Sequence, residues 1–352
     1  MSDIDLATPR RPEAVTVALG AAGIRAVPTG INHGTVTAVV DRRPFEITTL
    51  RRDEETDGRH ARVSFTDDWQ EDAARRDFTI NAMSVTAAGE LFDYFDGRAD
   101  LAAGRVRFVG DPATRIAEDY LRILRFFRFY ARYGKGDPDA ATAAAIRAGI
   151  PGLALLSAER VWSELKRILA ATDLTRALPL MVRLGVLSAV LPGDTNVTFL
   201  ISQVQRGLTE PVTQLAVLSR GMSESEALAL ASRLKLSSAE RGRLVDAVST
   251  PTPTPTTSGP DLRRMLADSS KQTLSDRTWL VDHPDMGKVR EHIHAVEQPV
   301  FPLEGRDVLA LDVLPGPRVG ELLRAVRQWW LDGGCVADAA ACRAELARRV
   351  RG

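Results

Sequence analysis

From Thr114 onward apolar positions recur every three or four residues almost to the end of the chain, and this period predicts helices throughout that stretch. The first hundred residues follow a different rule. Over residues 34–50, GTVTAVVDRRPFEITTL, β-branched and aromatic positions form two runs on either side of Asp41-Arg42-Arg43-Pro44, which predicts an antiparallel hairpin. Before it, Pro12 to Gly23 predicts a helix ending on glycine, so the first 50 residues are expected to run strand, helix, strand, strand. The next 22 residues, Arg51 to Asp72, hold 12 charged side chains and little that can pack, which predicts a surface loop. Within the helical part, STPTPTPTTSGPD at 249–261 cannot be regular helix, because its prolines remove donors and favour extended backbone; it predicts a linker or long loop. The expected class is therefore α+β, with a small mixed sheet first and an all-α remainder.

Composition narrows the function classes. A chain of 352 residues with 44% hydrophobic content is long enough for two or three packed domains. Lys plus Arg equals Asp plus Glu at 46 each, yet the charges are unevenly placed. Residues 105–170 carry 12 basic against 7 acidic side chains, and residues 1–88 carry 11 against 14. An acidic head joined to a basic middle suits a metal site beside a phosphate-binding surface. Cys335 and Cys342 are too few for a disulfide framework and wrongly spaced for zinc, so a reduced, cytoplasmic protein is expected. No apolar run reaches the roughly 18 residues of a membrane span, and no signal-peptide pattern opens the chain. His283, His292 and His294 are too few and too irregularly spaced for a histidine-based phosphohydrolase site.

Three short stretches carry the chemistry. In MSDIDLAT the alternation of a strand sends Asp3 and Asp5 to one face and Ile4 to the other, so both carboxylates can reach one cation, as Mg²⁺ demands. Glu46 lies opposite the Phe45, Ile47 and Thr49 face of its strand and is a candidate third carboxylate. In RRDFTINAMSV, residues 75–85, Arg75 and Arg76 lead into an apolar, β-competent segment, and guanidinium forks suit phosphate oxygens. In TRIAEDYLRILRFFRFYARYG, residues 114–134, a single helix would gather Ile116, Tyr120, Ile123, Phe127 and Tyr130 on a core face. Its other side would carry Glu118, Asp119, Arg122, Arg125, Arg128 and Arg132, with Phe126 and Phe129 among the charges, as on a surface where a base stacks while phosphates are held.

DIDLAT, RRDFTINAM and GDPATRIAEDYLRILRFFRF, in this order and spacing, resemble the class II tRNA nucleotidyltransferase and bacterial poly(A) polymerase family, and most closely its CCA-adding members. The similarity covers residues 1 to about 190, and GRDVLALDVLPGPRVGELL at 305–323 is also similar to that family. The resemblance implies a polymerase β-like head over 1–107, a helical neck over 108–195 that selects nucleotides and binds RNA, and a helical body and tail over 196–352. It implies template-independent addition of CMP and AMP from CTP and ATP to tRNA, with Mg²⁺ on Asp3 and Asp5 and pyrophosphate released. By motif position Arg76 resembles a triphosphate contact, and Glu118, Asp119, Arg122, Arg125 and Arg128 resemble the nucleotide-binding residues. Cytosine and adenine each pair an exocyclic amine with a ring-nitrogen acceptor, so a carboxylate and a guanidinium match both, whereas uracil and guanine reverse that pattern. Arg160, Lys166 and Arg167 in SAERVWSELKRIL are candidate RNA contacts, and Trp329 and Trp330 are expected to pack in a core.

One departure stands out. Members of this family carry a strand and a Gly-Gly-x-Val-Arg-Asp turn roughly 15 to 20 residues before the aspartate pair, where backbone approaches phosphate. The chain as given starts downstream of that point, so the expectation is a misplaced start, weak triphosphate binding and a sheet edge left open. A poly(A) polymerase of the same family and a catalytically impaired RNA-binding remnant are the alternative functions.

Overall fold

The computed structural model describes residues 4–31, 34–57, 60–171, 173–249 and 251–351, with backbone alone over 53–63. It divides into two compact units, residues 1–192 and 193–352. In the first, β1 (Asp5–Thr8), α1 (Pro12–Ala21), β2 (Arg25–Gly30), β3 (Thr35–Val40) and β4 (Arg43–Thr49) form a mixed sheet of order β1-β4-β3-β2. β1 runs parallel to β4, and the other pairs are antiparallel. The β3–β4 hairpin turns on Asp41 and Arg42, both with positive φ (49° and 63°), a two-residue turn whose twist matches that of its strands. β2 is an extra strand beyond the expected order. Its sequence, RAVPTG, hides it, because Pro28 has no N–H for the ladder and the pairing slips between Val27 and Gly30.

The expected loop at 51–72 is instead ordered structure. β5 (Arg51–Asp57) pairs antiparallel with β6 (His60–Phe65), and α2 (Trp69–Ala74) follows, its N-terminus capped by the Asp68 carboxylate. Ladder bonds come from the backbone, so a high charge density on the side chains does not forbid a hairpin. The segment after Arg75-Arg76 also differs from a strand. Phe78 makes one bridge to Phe108, then Thr79–Asn81 form a 3₁₀ turn, closed by the Phe78 N–H donating to the Asn81 side chain at 3.0 Å. β7 (Ser84–Val85), β8 (Leu91–Phe92) and α3 (Gly97–Ala103) complete this part. A Cβ at Gly97 would lie 2.2 Å from the Thr79 carbonyl oxygen, so α3 can dock on the turn only with glycine there.

Six helices follow: α4 (Pro112–Glu118), α5 (Leu121–Tyr133), α6 (Ala140–Gly149), α7 (Ala158–Leu169), α8 (Leu174–Leu184) and α9 (Val186–Val190). The single helix expected over 114–134 is broken in two at Asp119, whose backbone is extended at φ −158°. Phe126 is not among exposed charges. It is 0% exposed, with Phe78, Phe108 and Tyr130 at ring-centroid distances of 6.3, 6.1 and 5.8 Å. Phe129 is half-buried against Phe78. The break resets the helical phase, and α5 is covered on two sides by the Phe78–Phe108 bridge and by α7.

The second unit contains α10 (Val197–Gln205), α11 (Pro211–Leu218), α12 (Glu224–Arg233), α13 (Ser238–Val248), α14 (Gly259–Asp268), α15 (Lys271–Thr278), α16 (Met286–Ala295), α17 (Gly305–Leu309), α18 (Pro317–Asp332) and α19 (Ala339–Arg351). Ser223 with Glu226 and Ser237 with Glu240 cap α12 and α13 reciprocally. Residues 251–258 are irregular chain, held by Arg277, which donates to the carbonyls of Asp246 and Pro251 at 2.7 and 2.9 Å. The expected non-helical stretch ends early, because Gly259–Asp261 already belong to α14, where Pro260 in the first turn costs no hydrogen bond. Trp330 is buried in a core with Leu322, Val326 and Leu346, and Trp329 packs at its margin, as expected for this pair. No helix among the described residues is long and apolar enough to cross a membrane.

Because Phe126 sits in the aromatic core, Phe126→Ala should destabilise the protein by about 3–5 kcal/mol in urea denaturation. A loss below about 1 kcal/mol would contradict its place in the core.

Candidate active site

Asp5 and Glu46 face each other across the β1–β4 ladder as directly registered partners, and both are exposed. Opposed residues in a sheet share a face, so the register brings these two carboxylates together. Asp3 lies outside the described residues. Among the described residues no group of three or more His, Cys, Asp or Glu is gathered as a ready cation site.

The Arg75-Arg76-Asp77 segment is held from both sides by charge. The buried Asp72 carboxylate accepts from Arg75 Nε at 2.8 Å, from Arg76 Nη2 at 3.1 Å and from the Arg51 N–H at 3.2 Å. Arg76 keeps 39% of its side-chain surface exposed and Arg75 only 12%. Asp77 is buried and points at α5. It accepts from Arg122 Nε at 3.0 Å through one oxygen and from Arg125 Nε at 2.5 Å through the other. Each bond joins residues more than 40 positions apart, so it fixes α5 against the segment that follows α2.

Arg115 makes a second tie. Its Nη2 donates to the carbonyl oxygens of Arg75 and Arg76 at 2.5 and 3.0 Å, and its Nη1 donates to Glu118 at 2.5 Å. The same Glu118 oxygen accepts from Arg122 Nη1, which also reaches the Arg115 carbonyl at 2.7 Å. Arg122 is thereby 7% exposed, with Nε and Nη1 committed to the protein. Burial pulls the Arg115 guanidinium pKa down, and the neighbouring Arg122 adds to this.

At the break between α4 and α5, Asp119 accepts the Leu121 N–H at 3.1 Å with one oxygen and Arg160 Nη2 from α7 at 2.6 Å with the other. One turn further along α7, buried Glu164 accepts from Arg128 at 3.1 Å and from Arg167 at 3.2 Å. Lys166 and Arg167 are exposed on the same helix. Five carboxylates (Asp72, Asp77, Glu118, Asp119 and Glu164) thus serve eight guanidiniums (Arg75, Arg76, Arg115, Arg122, Arg125, Arg128, Arg160 and Arg167). The surplus is positive, which suits a polyphosphate, and the carboxylates fix the directions of otherwise flexible arginines.

The structure therefore ties Arg76, Glu118, Arg122 and Arg125 into one network, while Asp119 with Arg160, and Arg128 with Glu164 and Arg167, form two separate ion-pair clusters against α7. Arg160 is thus half-buried in a pair with Asp119 rather than on open surface. Asp72, Asp77 and Arg115 are members that the sequence did not single out. Asp77 and Arg115 stand inside the motifs, but their partners are distant in sequence, and no periodicity announces such a pairing.

Residues 1–107 match the family model for the Poly A polymerase head domain, and residues 137–196 match the one described as "Probable RNA and SrmB- binding site of polymerase A". The mitochondrial CCA tRNA nucleotidyltransferase 1 of Mus musculus is 38% identical over 350 residues, covering 94% of this chain and 79% of that protein. Its Homo sapiens counterpart shows the same identity and coverage. The Bacillus stearothermophilus CCA-adding enzyme in complex with CTP superposes with a TM-score of 0.79 at 25% identity, over 100% of this chain and 89% of that one. The Thermotoga maritima CCA-adding enzyme complexed with tRNA(CCA) shares the fold, with a TM-score of 0.64 at 18% identity over 99% and 87% of the two chains.

Burial alone would raise the Asp72 carboxyl pKa, but the Arg75 and Arg76 charges, with hydrogen bonds from Arg75 and the Arg51 N–H, hold it below the ordinary value. A lowered folded-state pKa contributes stability above the unfolded carboxyl pKa of about 4, and that contribution is lost as pH falls through the folded value. Denaturation measured from neutral to acid pH should show a shallower acid loss for Asp72→Asn than for the parent. Identical acid limbs would contradict the assignment.

Proposed function

This chain belongs to the CCA tRNA nucleotidyltransferase family, and from that premise we propose how its residues divide the work of adding CMP and AMP, from CTP and ATP, to tRNA 3′ ends. The RNA 3′-oxygen attacks the α-phosphorus of the triphosphate, pyrophosphate leaves, and no template is read. The observation that carries this division is the network in which Asp77 and Glu118 fix Arg122 beside the Arg75-Arg76 strap.

A divalent metal ion belongs to the chemistry of this family, and we assign Mg²⁺. When bound it lowers the pKa of the attacking hydroxyl and neutralises charge on the phosphates. Asp3 and Asp5 would hold it, with Glu46 as the third carboxylate. Hard oxygen donors opposed on neighbouring strands fit such a cation. Arg76, half exposed, takes the triphosphate, and Arg125 and Arg128 add positive charge along α5.

Base choice falls to Asp119 and Arg122. With Nε and Nη1 of Arg122 committed, Nη2 supplies the donor to the ring acceptor, while the Asp119 carboxylate takes the exocyclic amine. Glu118 acts through Arg122 and so positions it. Arg160, Lys166 and Arg167 lie along α7 as contacts for the RNA strand, Arg160 being shared with Asp119. In this division residues 1–107 are the head, 108–195 the neck, and 196–352 the body and tail that hold the tRNA by its backbone and shape. Two unpaired, buried cysteines favour a reducing compartment, and we place the protein in the cytoplasm.

Offered a tRNA lacking CCA with CTP and ATP, the protein should add three nucleotides and stop; a growing oligoadenylate tail would contradict CCA addition. Asp5→Ala should lower incorporation by about 10³-fold or more while leaving tRNA binding near the parent's. Asp119→Ala and Arg122→Ala should relax the choice among the four triphosphates more than they weaken triphosphate binding, and unchanged selectivity in both would contradict the base-choosing role.

A further inference from the structure

Tyr120 occupies the junction between α4 and α5. Asp119 before it is extended, at φ −158° and ψ 107°, and Tyr120 returns to helical angles, at φ −60° and ψ −18°. Its half-buried ring lies on a floor made by the end of α6 and the 3₁₀ segment Ile150–Leu155. The floor consists of two buried glycines. A Cβ on Gly152 would sit 2.2 Å from two atoms of the Tyr120 ring, and a Cβ on Gly149 would sit 2.6 Å from Ile116 and 3.7 Å from the ring. Neither glycine has a left-handed backbone, so conformational freedom does not explain them. They are glycines because the ring and its flanking isoleucines occupy the space a side chain would need.

Helix α4 packs on α6 and α5 packs on α7 and α8, and the two are joined through the Arg122 bonds to Glu118 and the Arg115 carbonyl and at this junction. Asp119 precedes Tyr120 and Arg122 follows it by two residues, so a change in the bend moves one of these side chains relative to the other. We propose that Tyr120, seated on Gly149 and Gly152, is a positioning residue for nucleotide choice: the ring fixes the bend between α4 and α5 and thereby the donor–acceptor geometry that Asp119 and Arg122 present to the base. This rests on the base-choosing role of those two residues. A displacement of about 1 Å at a hydrogen-bonding site is enough to cost it discrimination, because the matched bonds lengthen while the mismatched ones can form.

The test compares incorporation of CMP, AMP, UMP and GMP onto tRNA by the parent, Gly152→Ala, Tyr120→Leu, the combined variant and Asp119→Ala, with melting temperature and tRNA binding measured alongside. Gly152→Ala should raise the ratio of UMP to CMP incorporation by about tenfold or more, with tRNA binding unchanged. Tyr120→Leu, which removes the ring and adds nothing against the glycines, should do the same, and the combined variant should be no more permissive than Tyr120→Leu alone. If Gly152→Ala fails to fold, Tyr120→Leu carries the same expectation. Slower incorporation of all four nucleotides with unchanged ratios, beside a lowered melting temperature, would reduce the seat to ordinary packing and overturn the proposal. Relaxed choice in Asp119→Ala but not in the seat variants would overturn the seat alone; unchanged choice in all would overturn the base-choosing role with it.

Discussion

A buried carboxylate, Asp77, held between two arginines of a distant helix is the contact on which the arrangement of the arginine cluster depends. Charges leave water at a cost that their mutual attraction offsets only when geometry is good and no partner is missing. Asp77 and Arg122 meet that condition together, and neither meets it alone. Arg115, seven positions earlier on α4, repeats the logic, bonding backbone carbonyls of the Arg75-Arg76 strap while sharing Glu118 with Arg122. The 75–77 segment, α4 and α5 are therefore one electrostatic unit.

The same pairing explains how so basic a cluster can still be ordered. Arginine side chains have many rotamers, and like charges repel, so a cluster of eight would spread if left to itself. Each carboxylate in the network fixes the angle of one or more guanidiniums. Ordering is thus completed during folding rather than at the moment of binding, which is where preorganisation gains its effect. The Asp5 and Glu46 pair stands apart from this scheme. These carboxylates are exposed and face each other across a ladder, a placement that suits a cation more than an arginine.

Much of the fold was legible because its signals are local. The hairpin at 34–50, the helical second half and the irregular stretch at 251–258 follow from β-branched runs, period and proline. β2 was not legible, since Pro28 breaks its pattern at the point where its pairing slips. The hairpin at 51–65 was not legible either, because backbone pairing is indifferent to the charges that suggested a loop. The burial of Phe126 was not legible, because the chain bends at Asp119 and the helical phase that holds before the bend does not carry past it. Of the site, the motif residues were visible and their pairing was not: Asp77 with Arg122, Arg115 with the strap carbonyls and Asp119 with Arg160 are contacts across 39 to 45 positions.

The central claim is that Asp77 and Arg122 act as one unit in the nucleotide site proposed above. A double-mutant cycle on kcat/KM for CMP incorporation, using Asp77→Asn, Arg122→Gln and the pair, measures this most directly. The account predicts a coupling energy of about 1 kcal/mol or more, with the pair little worse than either single variant. Effects that add to within about 0.3 kcal/mol would contradict it.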